Sequence, residues 1–236
     1  FRNREERENP GSHLTSDCRG NLRIAHKEFK EKHGMQLRVG TEPEMMWLKR
    51  DDKGQPTGEG FSKPYCYHID QFESLRPVFM KVIEYSNAMG LDMIQGDHED
   101  APGQLELNWM FDDVLRNADR LSTYRQICAQ VAREFNLIAC FMTKPFMGVS
   151  ASGCHTNMSL WSGGEDKINT LGHKSIPGAD DVFTYVEGGE NLFMPDTDDR
   201  QMPGKIGLQS IGGVMKHLGA LTAIGSSTVN SYRRLW

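Results

Sequence analysis

The run V-G-T-E-P-E-M-M-W-L places Glu42 and Glu44 two residues apart within a mostly apolar stretch. An extended strand sends both carboxylates to one face and turns Pro43 away between them. Two anions that close repel each other unless a cation sits between or beside them. This part of the chain therefore reads as a strand whose charged face meets either solvent or a cation.

Two further stretches repeat the theme. Glu99 and Glu106 bracket D-A-P-G-Q-L, where Pro102 and Gly103 mark a turn. The strand after it, L-E-L-N-W, sends Leu105 and Leu107 to one face and Glu106 and Asn108 to the other, so the turn can fold the two carboxylates toward one point. In S-G-C-H-T-N-M-S-L-W, His155, Asn157 and Ser159 share a strand face. Taken singly, these are as well read as a solvated pair, a charged turn and a core histidine. Taken together, four carboxylates and one imidazole suit Mg²⁺ or Mn²⁺ better than Zn²⁺, which favours thiolates and several histidines. A carboxylate-rich site with room for two metals is typical of phosphoryl transfer.

Around these strands the periodicity predicts helices over Asn21–Lys32, Pro77–Met89, Asp113–Phe135 and Ile206–Ile224. Strands are expected over Gln36–Leu48, Leu91–Gln95, Gln104–Met110, Leu137–Met142 and Cys154–Trp161. Gly207, Gly212, Gly213 and Gly219 each cost the last helix about 1 kcal/mol, which a close helix–sheet contact would explain. Residues 162–189, rich in Gly, Asp and Ser, read as a long surface insertion or flap whose apolar run is short. Helices and strands mix without strict alternation. The class is α+β, with a sizeable, largely antiparallel sheet flanked by helices.

Bulk properties narrow the partners. A net charge of −5 argues against a general nucleic-acid or membrane surface, and no apolar run approaches the roughly 20 residues of a membrane span. Five cysteines without C-x-x-C spacing read as reduced thiols of a cytoplasmic protein. The chain opens at Phe1 in a charged stretch and stops at Trp236 directly after a site-like segment, the pattern expected of a fragment.

In order, the motifs G-T-E-P-E-M, H-E-D-A-P-G-Q-L-E, F-M-T-K-P-F, S-G-C-H-T-N-M-S-L and T-V-N-S-Y-R-R-L resemble the glutamine synthetase superfamily of ATP-dependent glutamate–ammonia and glutamate–amine ligases. The resemblance runs from about Gln36 to the last residue. It implies residues 1–35 as the end of a linker and a first helix, and 36–236 as a partial catalytic domain built on a curved antiparallel sheet. It further implies one metal held by Glu44, Glu99 and Glu106 near the glutamate substrate, and a second held by Glu42 and His155 near the ATP phosphates. Arg234 matches the family arginine near substrate and phosphate, and catalytic roles fall to Arg234 and Glu99. Tyr67 or Tyr65 falls where the family has an aromatic beside the ammonium pocket. Asn157 and Ser159 fall on the nucleotide side, and Gln104 lies in the family's G-Q-x-E turn.

The departures are specific. Ammonia-using members commonly carry N-G-S-G-x-H-x-H, where this chain has Ser150, Ala151, Ser152, Gly153, Cys154, His155, Thr156 and Asn157. Ser150 and Ala151 thus replace the asparagine and glycine that usually touch glutamate, and Asn157 replaces the second histidine. H-E-D-A-P-G-Q-L-E-L-N and K-P-Y-C-Y look more like γ-glutamyl-methylamide-type ligases, so an amine other than ammonia is the favoured acceptor. A homo-oligomer of stacked rings, a decamer or dodecamer, is implied. The non-catalytic alternative is a ring-forming scaffold or sensor; a guanidino kinase on the same barrel is a third reading.

Overall fold

Helix α1 (Cys18–His33) stops where Gly34 turns left-handed at φ 63° and its N–H reaches back 2.8 Å to the Lys30 carbonyl. Lys30, Lys32 and His33 crowd its last turn, where positive charge meets the negative end of the helix dipole. The chain then enters a 16-residue strand, β1 (Met35–Arg50), which carries Glu42 and Glu44. The computed structural model describes residues 13–58, 61, 66–168, 184–196 and 202–235.

After β1 come β2 (Pro56–Thr57), α2 (Ile69–Ser74), α3 (Arg76–Ala88), β3 (Met93–His98), β4 (Gln104–Trp109), β5 (Asp112–Asp113) and α4 (Val114–Glu134). The remainder is β6 (Ile138–Cys140), β7 (Cys154–Ser162), β8 (Glu165–Ile168), β9 (Thr184–Glu187), β10 (Glu190–Asn191), α5 (Lys205–Lys216), α6 (Leu218–Gly225) and α7 (Val229–Leu235). The class is α+β, and every pairing whose register is described is antiparallel. No described helix is long and apolar enough to cross a membrane.

The chain divides into two compact units. In the unit formed by residues 40–111, 119–157 and 213–236, β4 lies between β1 and β3. Alternation along these strands sorts the residues. Met45 and Trp47 of β1 and Leu105, Leu107 and Trp109 of β4 are buried with Val78, Phe79 and Val82 of α3 and Tyr124, Ile127, Cys128 and Val131 of α4. Each fully buried Leu or Val contributes about 1.5–3 kcal/mol. The opposite face of the same strands carries the carboxylates.

In the unit formed by residues 1–39, 112–118 and 158–212, Arg38 and Val39 pair with Asp113 and Asp112. The Arg38 guanidinium lies 4.2 Å from the centre of the Trp161 ring. His26 Nε2 accepts the Leu37 N–H at 3.0 Å, so α1 is tied to the start of β1.

Several elements depart from expectation. The strand expected at Leu91 starts at Met93, because Asp92 takes a left-handed φ of 54°, and it runs on to His98. The helix expected over Ile206–Ile224 is two helices interrupted at His217. An added Cβ at Gly212, Gly213 or Gly219 would meet nothing within 4 Å, so helix–sheet contact does not account for these glycines. At Gly207 the closeness is real, with Pro203 Cβ 2.8 Å from an added Cβ. Within 162–189, read as an insertion with one short apolar run, β8 and β9 pair from Glu165↔Glu187 to Ile168↔Thr184. The Thr-Tyr-Val of β9 supplies the β-branched and aromatic residues a strand favours. Residues 169–183 lie outside those described.

Candidate active site

Glu44 of β1 stands opposite Glu106 of β4 in antiparallel register, and Glu106 stands opposite Asp97 of β3. Facing residues in such pairs have Cβ atoms about 4.5–5.5 Å apart and point to one side. Three carboxylates therefore form a row across three neighbouring strands. Asp97 drew no notice in the sequence, since only the pairing register reveals its place.

The turn behind this row is built as its residues require. Gln104 N–H bonds the Ala101 carbonyl at 3.0 Å, with Pro102 and Gly103 between them and Gly103 at φ 69°. A Cβ on Gly103 would come within 2.5 Å of the Trp47 carbonyl oxygen. The Glu99 N–H then pairs with the Gln104 carbonyl at 2.9 Å, which brings Glu99 back alongside β4. Burial first, then the charges of Glu44 and Glu106, push the Glu99 carboxyl up to about 7. Burial also raises Glu106, helped by the charges of Glu42 and Glu44 and opposed by a hydrogen bond from Asn108.

Glu44 is the best-anchored member. Its Oε2 accepts the Gly153 N–H at 2.9 Å and the Gln104 amide at 3.2 Å, while its Oε1 lies 3.2 Å from His155 Nε2. Gln104, 1% exposed, also donates to the Ala151 carbonyl at 3.2 Å and Ser152 Oγ at 3.1 Å, and it accepts the Ala101 N–H at 2.9 Å. Glu42 accepts a hydrogen bond from Asn157 Nδ2 at 2.8 Å.

Arg234 reaches the same place from the end of the chain. A Cβ on Gly153 would lie 2.9 Å from Glu44 Oε1, 2.9 Å from His155 Nε2 and 3.2 Å from an Arg234 guanidinium nitrogen. Glycine is needed here because three side chains converge on the spot a side chain would fill. The short helix α7 that carries Arg234 is clasped by Asn230. That side chain accepts from Thr143 Oγ1 at 2.9 Å and Lys144 N–H at 2.7 Å, and donates to the Lys144 carbonyl at 2.7 Å. The place of Asn230 inside T-V-N-S-Y-R-R-L is the one sequence signal of this role.

The remaining candidates are placed less centrally. Tyr67 is 71% exposed at φ 61°, and the charge of Glu99 is the chief reason its hydroxyl is raised to about 12. Its neighbour Cys66 lies with Sγ 3.8 Å from Glu99 Oε2. Tyr65 lies outside the described residues. The Ser150 hydroxyl bonds the Asp100 carboxylate, and Ala151 offers its carbonyl to Gln104. Ser159 belongs to the other unit, where its Oγ accepts the Trp161 indole N–H at 2.8 Å.

Among the described residues, no three His, Cys, Asp or Glu side chains stand in ready-made ligand geometry. The donor chemistry nevertheless fits a hard divalent cation: burial first, and then neighbouring carboxylate charge, raises Glu99 and Glu106, and a positive charge would relieve that cost. The arrangement can bind cations and, with Arg234, an oxyanion.

Residues 15–175 and 183–236 match the family model described as glutamine synthetase, catalytic domain. The chain is 34% identical over 210 residues to a glutamine synthetase of Rhizobium leguminosarum bv. phaseoli, covering 86% of this chain and 41% of the relative. Among solved structures it is similar to GmaS without ligand, with a TM-score of 0.73 and 29% identity over 92% of this chain and 45% of that one. It is also similar to a GmaS/ADP complex, with a TM-score of 0.71 and 28% identity over 91% and 44%. The chain thus spans less than half the length of the relatives it matches.

Proposed function

The chain belongs to the glutamine synthetase family, and from that premise we propose that it carries the metal and substrate face of an ATP-dependent carbon–nitrogen ligase. The reaction joins the γ-carboxylate of glutamate to ammonia or, in preference, a small amine, through a γ-glutamyl phosphate. One observation carries the reading above the others: Glu44 and Glu106 face each other across β1 and β4 while Gly153 N–H, His155 and Arg234 gather on the Glu44 side.

A carboxylate is a poor acyl donor because its leaving group would be oxide. Transfer of the γ-phosphoryl group of ATP to a γ-carboxylate oxygen releases ADP and makes phosphate the leaving group. The amine nitrogen then attacks the γ-carbon, the C–O bond to phosphate breaks, and the amine loses a proton. In this reading Glu44, Glu99 and Glu106 hold one divalent cation, Mg²⁺ or Mn²⁺, and Glu42 with His155 holds a second. When bound, these cations supply the charge that lets phosphate oxygens approach a carboxylate.

Arg234 holds the substrate and phosphate oxyanion with its planar fork. In this reading Tyr67, Ser150 and Ala151 line the substrate side and Asn157 the nucleotide side, while Ser159, in the other unit, is assigned to the nucleotide by its motif position alone. A solved relative in complex with ADP supports the use of a nucleotide. The protein is proposed to work in the cytoplasm as a homo-oligomer of stacked rings, ten or twelve subunits, with residues 36–236 as part of its catalytic domain.

The second reading is a catalytically inactive, ring-forming scaffold or sensor. It is favoured by Asn157, whose neutral amide occupies Glu42, and by Ser150, whose hydroxyl is engaged by Asp100. Mass spectrometry of the products formed from ATP, Mg²⁺, L-glutamate and a panel of amines separates the two. A γ-glutamyl amide establishes the ligase and names its acceptor; no product with any amine, while nucleotide and metal bind, favours the scaffold.

A further inference from the structure

Asn108 has no part in the mechanism above, yet it stands on the carboxylate face of β4, two residues beyond Glu106. It is only 8% exposed, and its Nδ2 donates to Glu106 Oε1 at 2.8 Å. Its Oδ1 is buried without a hydrogen-bond partner among the described residues. A flipped amide would not cure this, since Oδ1 would then face a carboxylate oxygen. The negative charge of Glu106 therefore fixes which atom is left unmet.

Gln104, two residues before Glu106, makes the instructive contrast. It too gives its amide N–H to a site carboxylate, Glu44, but its Oε1 is satisfied by the Ala101 N–H at 2.9 Å. The two carboxamides bracket the facing pair Glu44/Glu106, one fully satisfied and one with an acceptor to spare. A buried polar oxygen is costly to leave unmet, and such exceptions call for a donor. Mg²⁺ and Mn²⁺ sites retain bound waters, whose polarised O–H groups are strong donors.

We propose that Asn108 is a positioning residue for the cation at Glu44 and Glu106: its amide N–H steers Glu106, and its free Oδ1 accepts a hydrogen bond from a water bound to that cation. This rests on the reading that Glu106 is a cation ligand. Removing such an outer partner typically lowers metal affinity about 10–100-fold. Replacing Asn108 by an apolar group removes the unmet oxygen and, with it, the donor to the Glu106 carboxylate, so the metal-free fold loses some stability. A merely structural residue would lower metal-free stability without changing the cation affinity of the folded protein.

The test is calorimetric titration of Mg²⁺ and of Mn²⁺ into wild type, Asn108→Leu, Asn108→Ala and Glu106→Gln, together with melting temperatures in chelator. The expected result is a roughly tenfold or greater loss of affinity in Asn108→Leu, titrated well below the melting temperature of its metal-free form. Asn108→Ala serves if the leucine variant does not fold, and is expected to lose affinity similarly. Affinity lost in Glu106→Gln but unchanged in the Asn108 variants overturns this inference alone. No cation binding by wild type overturns the underlying reading and this inference with it.

Discussion

Glu44 and Glu106 occupy directly opposed positions of two antiparallel strands, an arrangement that is destabilising unless something positive comes between them. The fold holds this pair in place with N–H donors from Gly153 and Gln104 on one carboxylate and Asn108 on the other. Like charges facing each other cost about 0.2–1 kcal/mol on an antiparallel sheet. Glu106→Gln should therefore make the metal-free protein more stable by about that amount while lowering its cation affinity at least about tenfold. Urea unfolding in chelator and metal titration read the two halves of the prediction.

The raised Glu99 gives a pH signature. Its folded pKa of about 7 lies above the ordinary carboxylate value of 4.5, so the folded state binds the proton more tightly than the unfolded one. The contribution to stability is fully present below pH 4.5 and is lost as pH rises through about 7. In chelator, the melting temperature of wild type should fall across that window more steeply than that of Glu99→Gln. Identical slopes would show that Glu99 is not the group responsible. Cations should bind more tightly over the same rise, because they compete with its proton.

Gly153→Ala is predicted to act on the site more than on the fold. The added methyl would come 2.9 Å from both Glu44 Oε1 and His155 Nε2, so these groups must move. Overpacking costs about 1–3 kcal/mol of stability, and a displacement near 1 Å can cost on the order of 100-fold in rate. Turnover falling no more than the folded fraction falls would contradict the convergence at this glycine.

Asn230 should prove essential for Arg234 without touching substrate. Asn230→Ala removes all three hydrogen bonds of the clasp and leaves Lys144 groups unmet, a loss of about 1–3 kcal/mol. Asn230→Asp keeps the acceptor side and should retain part of the function. Amide hydrogen exchange is expected to rise in residues 229–235 of the alanine variant, together with KM for glutamate. Unchanged exchange there would show that the clasp does not hold α7.

The sequence made the strands of the site legible because a period of two is unambiguous where glutamates alternate with Pro, Met and Leu, as in T-E-P-E-M and L-E-L-N-W. It also made the Pro102–Gly103 turn legible, since Gly103 alone fits the positive φ beneath Trp47. What one chain does not display is register. Asp97 and Gly153 matter through the strand or carboxylate they meet, and no spacing along the chain records those meetings. The six-residue α2 and seven-residue α7 are too short for a helical period to stand out. Nor does the motif around Ser150 encode the hydrogen bond of its hydroxyl to Asp100.

The central claim is that a carboxylate is activated by phosphorylation on this face, and transfer of ¹⁸O tests it most directly. L-Glutamate labelled with ¹⁸O in its γ-carboxylate is incubated with the protein, ATP, Mg²⁺ and the accepted amine, and the released phosphate is analysed by mass spectrometry. The account predicts one ¹⁸O per phosphate released, and no such transfer in Glu106→Ala. Phosphate released without label, or at the same rate without glutamate or amine, would contradict it.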